Sequence, residues 1–290
     1  MHASAALPDR AAPGAVRHDR LVPVAGRHGH LVPVAGRHDR LVPGASSASA
    51  VAALLIHECD LDTPRVLLPH TEIHLVARFG PWARGGLDVH AFGVRQQVHR
   101  KLLHGGQRSV MARLRLGVPE AVLGVPAAAL ADRVATLDEL WGDGATRRLL
   151  DRLADARDSV EAAAILERAL AARLVPAAGR QAHTHLALAA ADRLTGASVN
   201  AVAADLGVSE RHLRRVFLET VGVSPKTFAR LTRFHRALGA ARQGGPARWA
   251  SIASDAGYYD QAHLIAEFRA IAGVTPRALL GELRAAPALD

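Results

Sequence analysis

Two kinds of apolar spacing divide the chain. Between residues 51 and 118, apolar and polar positions alternate in short runs: Glu72-Ile73-His74-Leu75-Val76-Ala77-Arg78-Phe79, Asp88-Val89-His90-Ala91-Phe92-Gly93-Val94 and Ser109-Val110-Met111-Ala112-Arg113-Leu114-Arg115-Leu116. A period of two sends alternate side chains to opposite faces of an extended chain, and Gly-Pro, Gly-Gly and Gly-Gln breaks bound the runs. The region is therefore predicted to hold half-buried, antiparallel strands. Residues 119–142 read as loops with a short helix. Over residues 145–174 the spacing becomes helical, with Leu149, Leu153, Val160, Ala164, Leu166 and Leu170 on an interrupted apolar face. Gly142-Asp143-Gly144 and Pro176-Ala177-Ala178-Gly179 are breaks, and the second marks a domain boundary.

After residue 180 every segment reads helical. A lead helix covers 186–194; Ser198 is placed to cap 199–206, and Ser209 to cap the helix that follows. Pro225 opens a long helix to about residue 242, with Phe228, Leu231, Phe234 and Leu238 on one side, and Gly244-Gly245-Pro246 stops it. A helix over 249–256, a turn at Gly257, Asp260 as a cap, a helix to 272 closed by Gly273 and a short helix after Pro276 complete the region.

One pattern is written there twice. Leu213, Phe217, Gly222, Val223 and Pro225 recur as Leu264, Phe268, Gly273, Val274 and Pro276, each displaced by 51 residues. Upstream of each copy a small-residue helix runs into a glycine turn, at Ala203 with Gly207 and at Ala253 with Gly257. A helix-turn-helix needs both: a small residue where the second helix crosses closely, and a turn that glycine makes easily. Leu213 and Phe217, at i and i+4, bury one face of the second helix and leave Glu210, Arg211, Arg214, Arg215 and Leu218 on the others. Those arginines are free to enter a major groove, where an Arg–guanine pair supplies roughly 1–3 kcal/mol of discrimination. In the second unit Gln261, Ala262 and His263 open the helix and no arginine appears until Arg269, so it is expected to position more than to read.

Residues 1–50 carry a ten-residue repeat, Arg17-His18-Asp19-Arg20-Leu21-Val22-Pro23-Val24-Ala25-Gly26 and its copies at 27–36 and 37–46. Each unit offers too little apolar surface to offset the entropy of ordering, and this stretch reads as disordered. His18, His28, His30 and His38 have neither a thiolate nor a fixed scaffold beside them and are not read as a metal site.

Composition narrows the partner. The chain has 290 residues, long enough for two ordinary domains, and it carries a formal charge of +9 with only two lysines, Lys101 and Lys226. Positive charge favours a polyanionic partner, and arginine's planar fork suits phosphates and guanine edges. Between Glu210 and Arg248 nine Arg or Lys stand against two carboxylates, Glu210 and Glu219. Arg230, Arg233 and Arg236 on the long helix fit either phosphate contacts or pairing with the β-rich region. The single cysteine, Cys59, allows no internal disulfide and reads as a small core residue. No apolar run approaches the ~20 residues of a spanning helix and no signal peptide core is present, which points to a cytoplasmic protein without membrane contact.

Enzyme chemistry finds little support. His70 and His74 stand four apart, but Glu72 is misplaced for a zincin, and if the segment is a strand those side chains project far apart. His57-Glu58-Cys59-Asp60 is only a local polar cluster, and neither a phosphate loop nor a Gly-x-Ser-x-Gly turn occurs. No cofactor and no metal are expected.

Residues 184–284 resemble the AraC/XylS family of bacterial transcription regulators. The likeness rests on Val202-Ala203-Ala204-Asp205-Leu206-Gly207-Val208-Ser209-Glu210-Arg211-His212-Leu213-Arg214-Arg215-Val216-Phe217, on Gly222-Val223-Ser224-Pro225, and on Ile252-Ala253-Ser254-Asp255-Ala256-Gly257-Tyr258-Tyr259-Asp260-Gln261-Ala262-His263-Leu264-Ile265-Ala266-Glu267-Phe268. The resemblance implies an α+β protein: a small β-rich sensor or oligomerisation domain with a helical linker at 51–178, and an all-α DNA-binding domain at 179–290 of two helix-turn-helix units joined by a long helix. It implies double-stranded DNA read over two successive major-groove segments, with Ser209, Glu210, Arg211, His212, Arg214, Arg215, Asp260, Gln261, Ala262 and His263 as the contacting surface. Ala266 departs from the polar or basic residue often found there. Leu123-Gly124-Val125-Pro126 to Leu140-Trp141-Gly142 looks like the sensor region of some members. A small-molecule effector, a second copy of the chain and RNA polymerase are the further partners that the family implies.

Overall fold

The computed structural model describes residues 39–42, 50–174, 181–243 and 248–286. Most of the decapeptide repeat, including His18, His28, His30 and His38, and the breaks at Pro176 to Gly179 and Gly244 to Pro246 lie outside the described residues. A β-rich region is followed by helices. Among the described residues six strands form one antiparallel sheet in the order β1 (Asp39–Val42), β2 (Val51–Cys59), β7 (Gln107–Leu114), β4 (His74–Phe79), β5 (Leu87–Phe92), β8 (Val134–Thr136). A separate hairpin pairs β3 (Thr63–Leu67) with β6 (His99–Leu103). Strand β1 lies inside the stretch read as disordered, and the backbone supplies the correction. Arg40 to Val42 pair with Ile56 to Leu54, so the open edge of β2 provides hydrogen-bond partners that side-chain composition does not reveal.

Alternation sorts the sheet's two faces. Leu54, Ile56, Leu75, Ala77, Val110 and Ala112 point into one core with helices α3 (Asp143–Ala154) and α4 (Ser159–Ala172), through Leu149, Leu153, Ile165, Leu166 and Leu170. The strands were expected to be half-buried, yet all six residues of β4 are buried. Their second face carries a smaller cluster, Val76, Phe92 and Met111, set among buried His74, Arg78, His90 and Arg113. Here the period of two separates an apolar face from a mixed polar one, not core from water. The polar face is partly self-satisfied: Arg78 donates to both Asp88 oxygens at 2.7 Å, and burial pushes the Asp88 carboxyl up while bonds from His90, Arg78 and the Arg84 N–H hold it at about 2. Cys59 is buried with Leu67 and Leu103, as a small core residue should be.

The helical spacing of 145–174 resolves into two helices. Asp158 ends the break by accepting the Glu161 N–H at 2.8 Å, a cap that forces a new start. Two further short helices, α1 (Pro119–Leu123) and α2 (Leu137–Trp141), and a 3-10 turn at Ala127–Leu130 fill residues 119–142.

Among the described residues seven helices make the C-terminal part: α5 (Gln181–Arg193), α6 (Val199–Asp205), α7 (Glu210–Val221), α8 (Pro225–Gln243), α9 (Trp249–Ala256), α10 (Gln261–Ala272) and α11 (Pro276–Ala285). Each half has its own apolar centre, around Leu213 and Phe217 in the first and around Leu264 and Phe268 in the second. The β-rich region inserts into both. Val94 joins the first centre, while Val66, Leu68 and Val98 join the second. Each such burial is worth about 1.5–3 kcal/mol relative to exposure. The Arg100–Glu282 pair at 2.8 Å, with side chains 42% and 31% exposed, is worth about 0–1 kcal/mol, so the apolar insertion dominates the docking. His235 on α8 donates to the Pro69 carbonyl at 2.8 Å, and the Val98 N–H to Ile271 at 2.9 Å, which set the direction of approach.

Candidate nucleic-acid interface

Both helix-turn-helix units are built from the same local signals. In the first, Ser198 Oγ accepts the Ala201 N–H and Ser209 Oγ accepts the His212 N–H, each at 3.2 Å, which fixes where α6 and α7 start. Between them Gly207 takes a φ of 67°, in the left-handed region where a Cβ would be strained. The Val208 N–H then returns to the Ala203 carbonyl at 3.0 Å. Ala203 is 2% exposed, and a larger side chain there would push α6 and α7 apart. The second unit repeats the construction with Gly257 at φ 84° and the Tyr258 N–H on Ala253 at 2.9 Å.

The repeat is not uniform. From Ala203 to Ala253 and from Gly207 to Gly257 the displacement is 50 residues, whereas from Leu213 to Leu264 it is 51. The second turn therefore holds one extra residue. Tyr258 packs inward, while Tyr259 is 93% exposed at the start of α10. The sequence reading passed over Tyr259; the change of displacement was the signal that could have found it.

Helix α7 separates its faces cleanly. Leu213, Val216 and Phe217 are buried, and Arg211, Arg214, Arg215 and Leu218 are exposed at i, i+3, i+4 and i+7. Glu210 pairs with Arg214 one turn on. Arg215 donates to His212 Nδ1 at 3.2 Å, and the His212 ring meets His183 of α5 edge-on at 5.9 Å. Among the described residues Arg211 makes no hydrogen bond or ion pair. Ser209, Glu210, Arg211, His212, Arg214 and Arg215 thus sit together on the first turns of α7, with three guanidinium groups reaching outward.

The second surface differs in chemistry. Asp260 caps α10 by accepting the His263 N–H at 2.7 Å, and Gln261 and Ala262 are exposed. His263 Nδ1 accepts the Tyr259 N–H at 3.3 Å and its ring edge rests on Tyr258. The 51-residue displacement carries Arg211, Arg214 and Arg215 onto Ala262, Ile265 and Ala266. No guanidinium occupies the matching face. Glu267 is half-buried against the long helix, 3.3 Å from Arg230 and 3.8 Å from Arg233.

Arg230, Arg233 and Arg236, three of the four arginines of α8, join the two units and do not pair with the β-rich region. Arg236 donates through Nη1 to the Thr195 carbonyl at 2.7 Å, just past α5, and through Nη2 to the Asp255 carbonyl at 2.6 Å, in the last turn of α9. One side chain bridges a helix end in each unit. Cationic groups at helix C-termini meet both the free carbonyls and the negative end of the helix dipole.

The expectation that His70 and His74 project apart is corrected. The chain bends between them, His70 pairing with Arg95 outside the named strands, and the ring centroids lie 4.3 Å apart. Both are fully buried; burial, then Arg95, pushes His70 down to about 3, and burial, then His70 itself, holds His74 well below the usual imidazole range. Among the described residues no group of three or more His, Cys, Asp or Glu is arranged to hold a metal ion, and no helix is long and apolar enough to cross a membrane.

The family model described as a helix-turn-helix domain matches residues 202–282. No curated protein is significantly similar to the chain. Similar solved structures include an AraC-type DNA-binding domain-containing transcriptional regulator from Chromobacterium violaceum, 27% identical over 38% of this chain and 99% of that one, with a TM-score of 0.32. A DNA-binding transcriptional dual regulator from Escherichia coli K-12 is 20% identical over 37% and 96%, with a TM-score of 0.30. ToxT from Vibrio cholerae is 9% identical over 84% and 98%, with a TM-score of 0.39. The family match covers both turns, both second helices and the long helix between them, so residues 202–282 form a helix-turn-helix domain similar to the AraC type.

Proposed function

We propose that the chain is a sequence-specific DNA-binding regulator of transcription that reads two successive major-groove segments, one with α7 and one with α10, under the influence of its β-rich region. One observation carries the reading: Arg211, Arg214 and Arg215 stand exposed on the face of α7 opposite its buried row. Guanidinium groups presented from the first turns of such a helix suit guanine O6 and N7. Helix α10, with Gln261 and His263 at its start and no arginine on the matching face, supplies position and weaker readout. Tyr259, in the turn just before it and 93% exposed, is available to the sugar-phosphate backbone. The β-rich region acts as a sensor because the segment from Val94 to Val98 enters both apolar centres, so any change in that segment is felt by both units. The activity is binding and not catalysis.

Selecting genomic fragments that the full chain retains, then titrating the recovered site against salt, tests this reading. Neutralising six or so phosphates gives a log–log slope of roughly −5. A flat salt response, or fragments with no shared sequence, would refute it.

A further inference from the structure

Between the β-rich region and the second helical unit lies a cleft of about 810 Å3, within the ~300–1,000 Å3 range of small-molecule sites. Its walls come from three directions. Phe92 and Val134 form a floor, the segment around Arg95 and that around Arg133 form one side, and Arg230 of α8 with Ala270 of α10 closes the other. The lining brings together three guanidinium groups and His99 against one carboxylate, Asp132, which is already taken up by the Gln96 amide at 2.8 Å.

The three guanidinium groups face a single lining carboxylate, and their own contacts leave donors over. Arg95 is largely buried and its Nη1 has no hydrogen-bond partner, and burial, opposed by Asp132, pushes its guanidinium down to about 10. Arg133 donates to the Ala129 carbonyl at 3.3 Å and reaches Glu139 at 3.8 Å, and Arg230 reaches Glu267 at 3.3 Å, so both keep further N–H groups for a guest. Asp132 holds a left-handed backbone, φ 50°, at the rim, pinned by its N–H on the Val94 carbonyl at 3.1 Å. Residues held in such conformations concentrate at ligand sites. A buried guanidinium N–H without an acceptor, beside two further arginines on a polar cleft, calls for an acceptor-rich guest.

Resting on the proposed regulator reading and deepening its sensor part, we propose that this cleft binds a small, hydrophilic dianion, held by Arg95, Arg133 and Arg230, as the effector. The chemistry is that of two anionic oxygen groups, supplied by a dicarboxylate or by a phosphate. Because Arg230 also holds Glu267, charge arriving in the cleft competes for the contact that orients α10.

Calorimetric titration of the full chain with succinate and, separately, inorganic phosphate tests the proposal, with sodium chloride at matched ionic strength as reference. Saturable binding of either probe is expected, and the responding probe identifies the source of the anion. Arg133→Gln, at an exposed rim position that leaves the core intact, should weaken binding about tenfold. Arg95→Gln should weaken it further if it folds, while Arg214→Ala should leave it unchanged. The bound probe should also shift affinity for the selected operator, and Arg133→Gln should remove that shift without altering operator binding in its absence. Heat no different from chloride, binding lost in Arg214→Ala but kept in Arg133→Gln, or saturable binding with no effect on operator affinity would overturn it. Operator binding without probe is read independently, so loss of the regulator reading itself is seen separately.

Discussion

Arg236 is the side chain on which the geometry of the paired units turns. Arg236→Met keeps the length and apolar stem and removes every donor, leaving the Thr195 and Asp255 carbonyls without their partner. Bonds from a charged donor are worth about 1.5–3 kcal/mol each when buried. Arg236 is exposed, so water replaces much of what is lost, and about 0.5–1 kcal/mol per bond is the better figure. The sum of about 1–2 kcal/mol should lower the melting temperature by about 2–8 °C in a protein of this size. If the bridge fixes how the two units face one another, the same energy sets a ceiling on the lost affinity of about 5- to 30-fold for DNA that carries both segments. DNA carrying only the α7 segment should bind as before. Fluorescence anisotropy with the two duplexes measures this directly, and Lys226→Met, exposed on the same helix, controls for the lost charge. Equal loss on both duplexes, or none on either with unchanged melting, would refute the reasoning.

Three other outcomes are expected. Replacing Arg214 and Arg215 by Ala should reduce binding to the selected operator far more than to random DNA; equal reduction would mark them as phosphate contacts. Ala203→Leu overpacks the α6–α7 crossing and should cost about 1–3 kcal/mol of stability, lowering melting and DNA binding together, whereas unchanged melting would contradict the placement of that crossing. Asp88 titrates at about 2 in the fold against an ordinary 3.8, so its contribution is complete above about pH 4 and is lost as pH falls through about 2. Denaturation of wild type and Asp88→Asn between pH 5 and pH 2 should show the stability gap closing toward acid; a constant gap would show that the Arg78–Asp88 pair does not carry it.

The amino-acid sequence by itself determined the helical half. Caps at Ser198, Ser209 and Asp260, the turns at Gly207 and Gly257 and the i, i+3, i+4 spacing of α7 are local devices, complete within a few residues, and the exposed row of Arg211, Arg214 and Arg215 follows from them. Only the tertiary structure decided what the rest of the chain does with its polar groups. Strand β1 takes its structure from the edge of β2, and the alternation of β4 meets a second buried face that no spacing announces. His70 and His74 come together at a bend, and Arg230, Arg233 and Arg236 find Glu267 and two helix ends instead of the β-rich region. A long charged side chain has several partners within reach of its sequence position, and only the packed fold selects among them, because the cost of burying a charge depends on which acceptors the neighbouring elements bring to it.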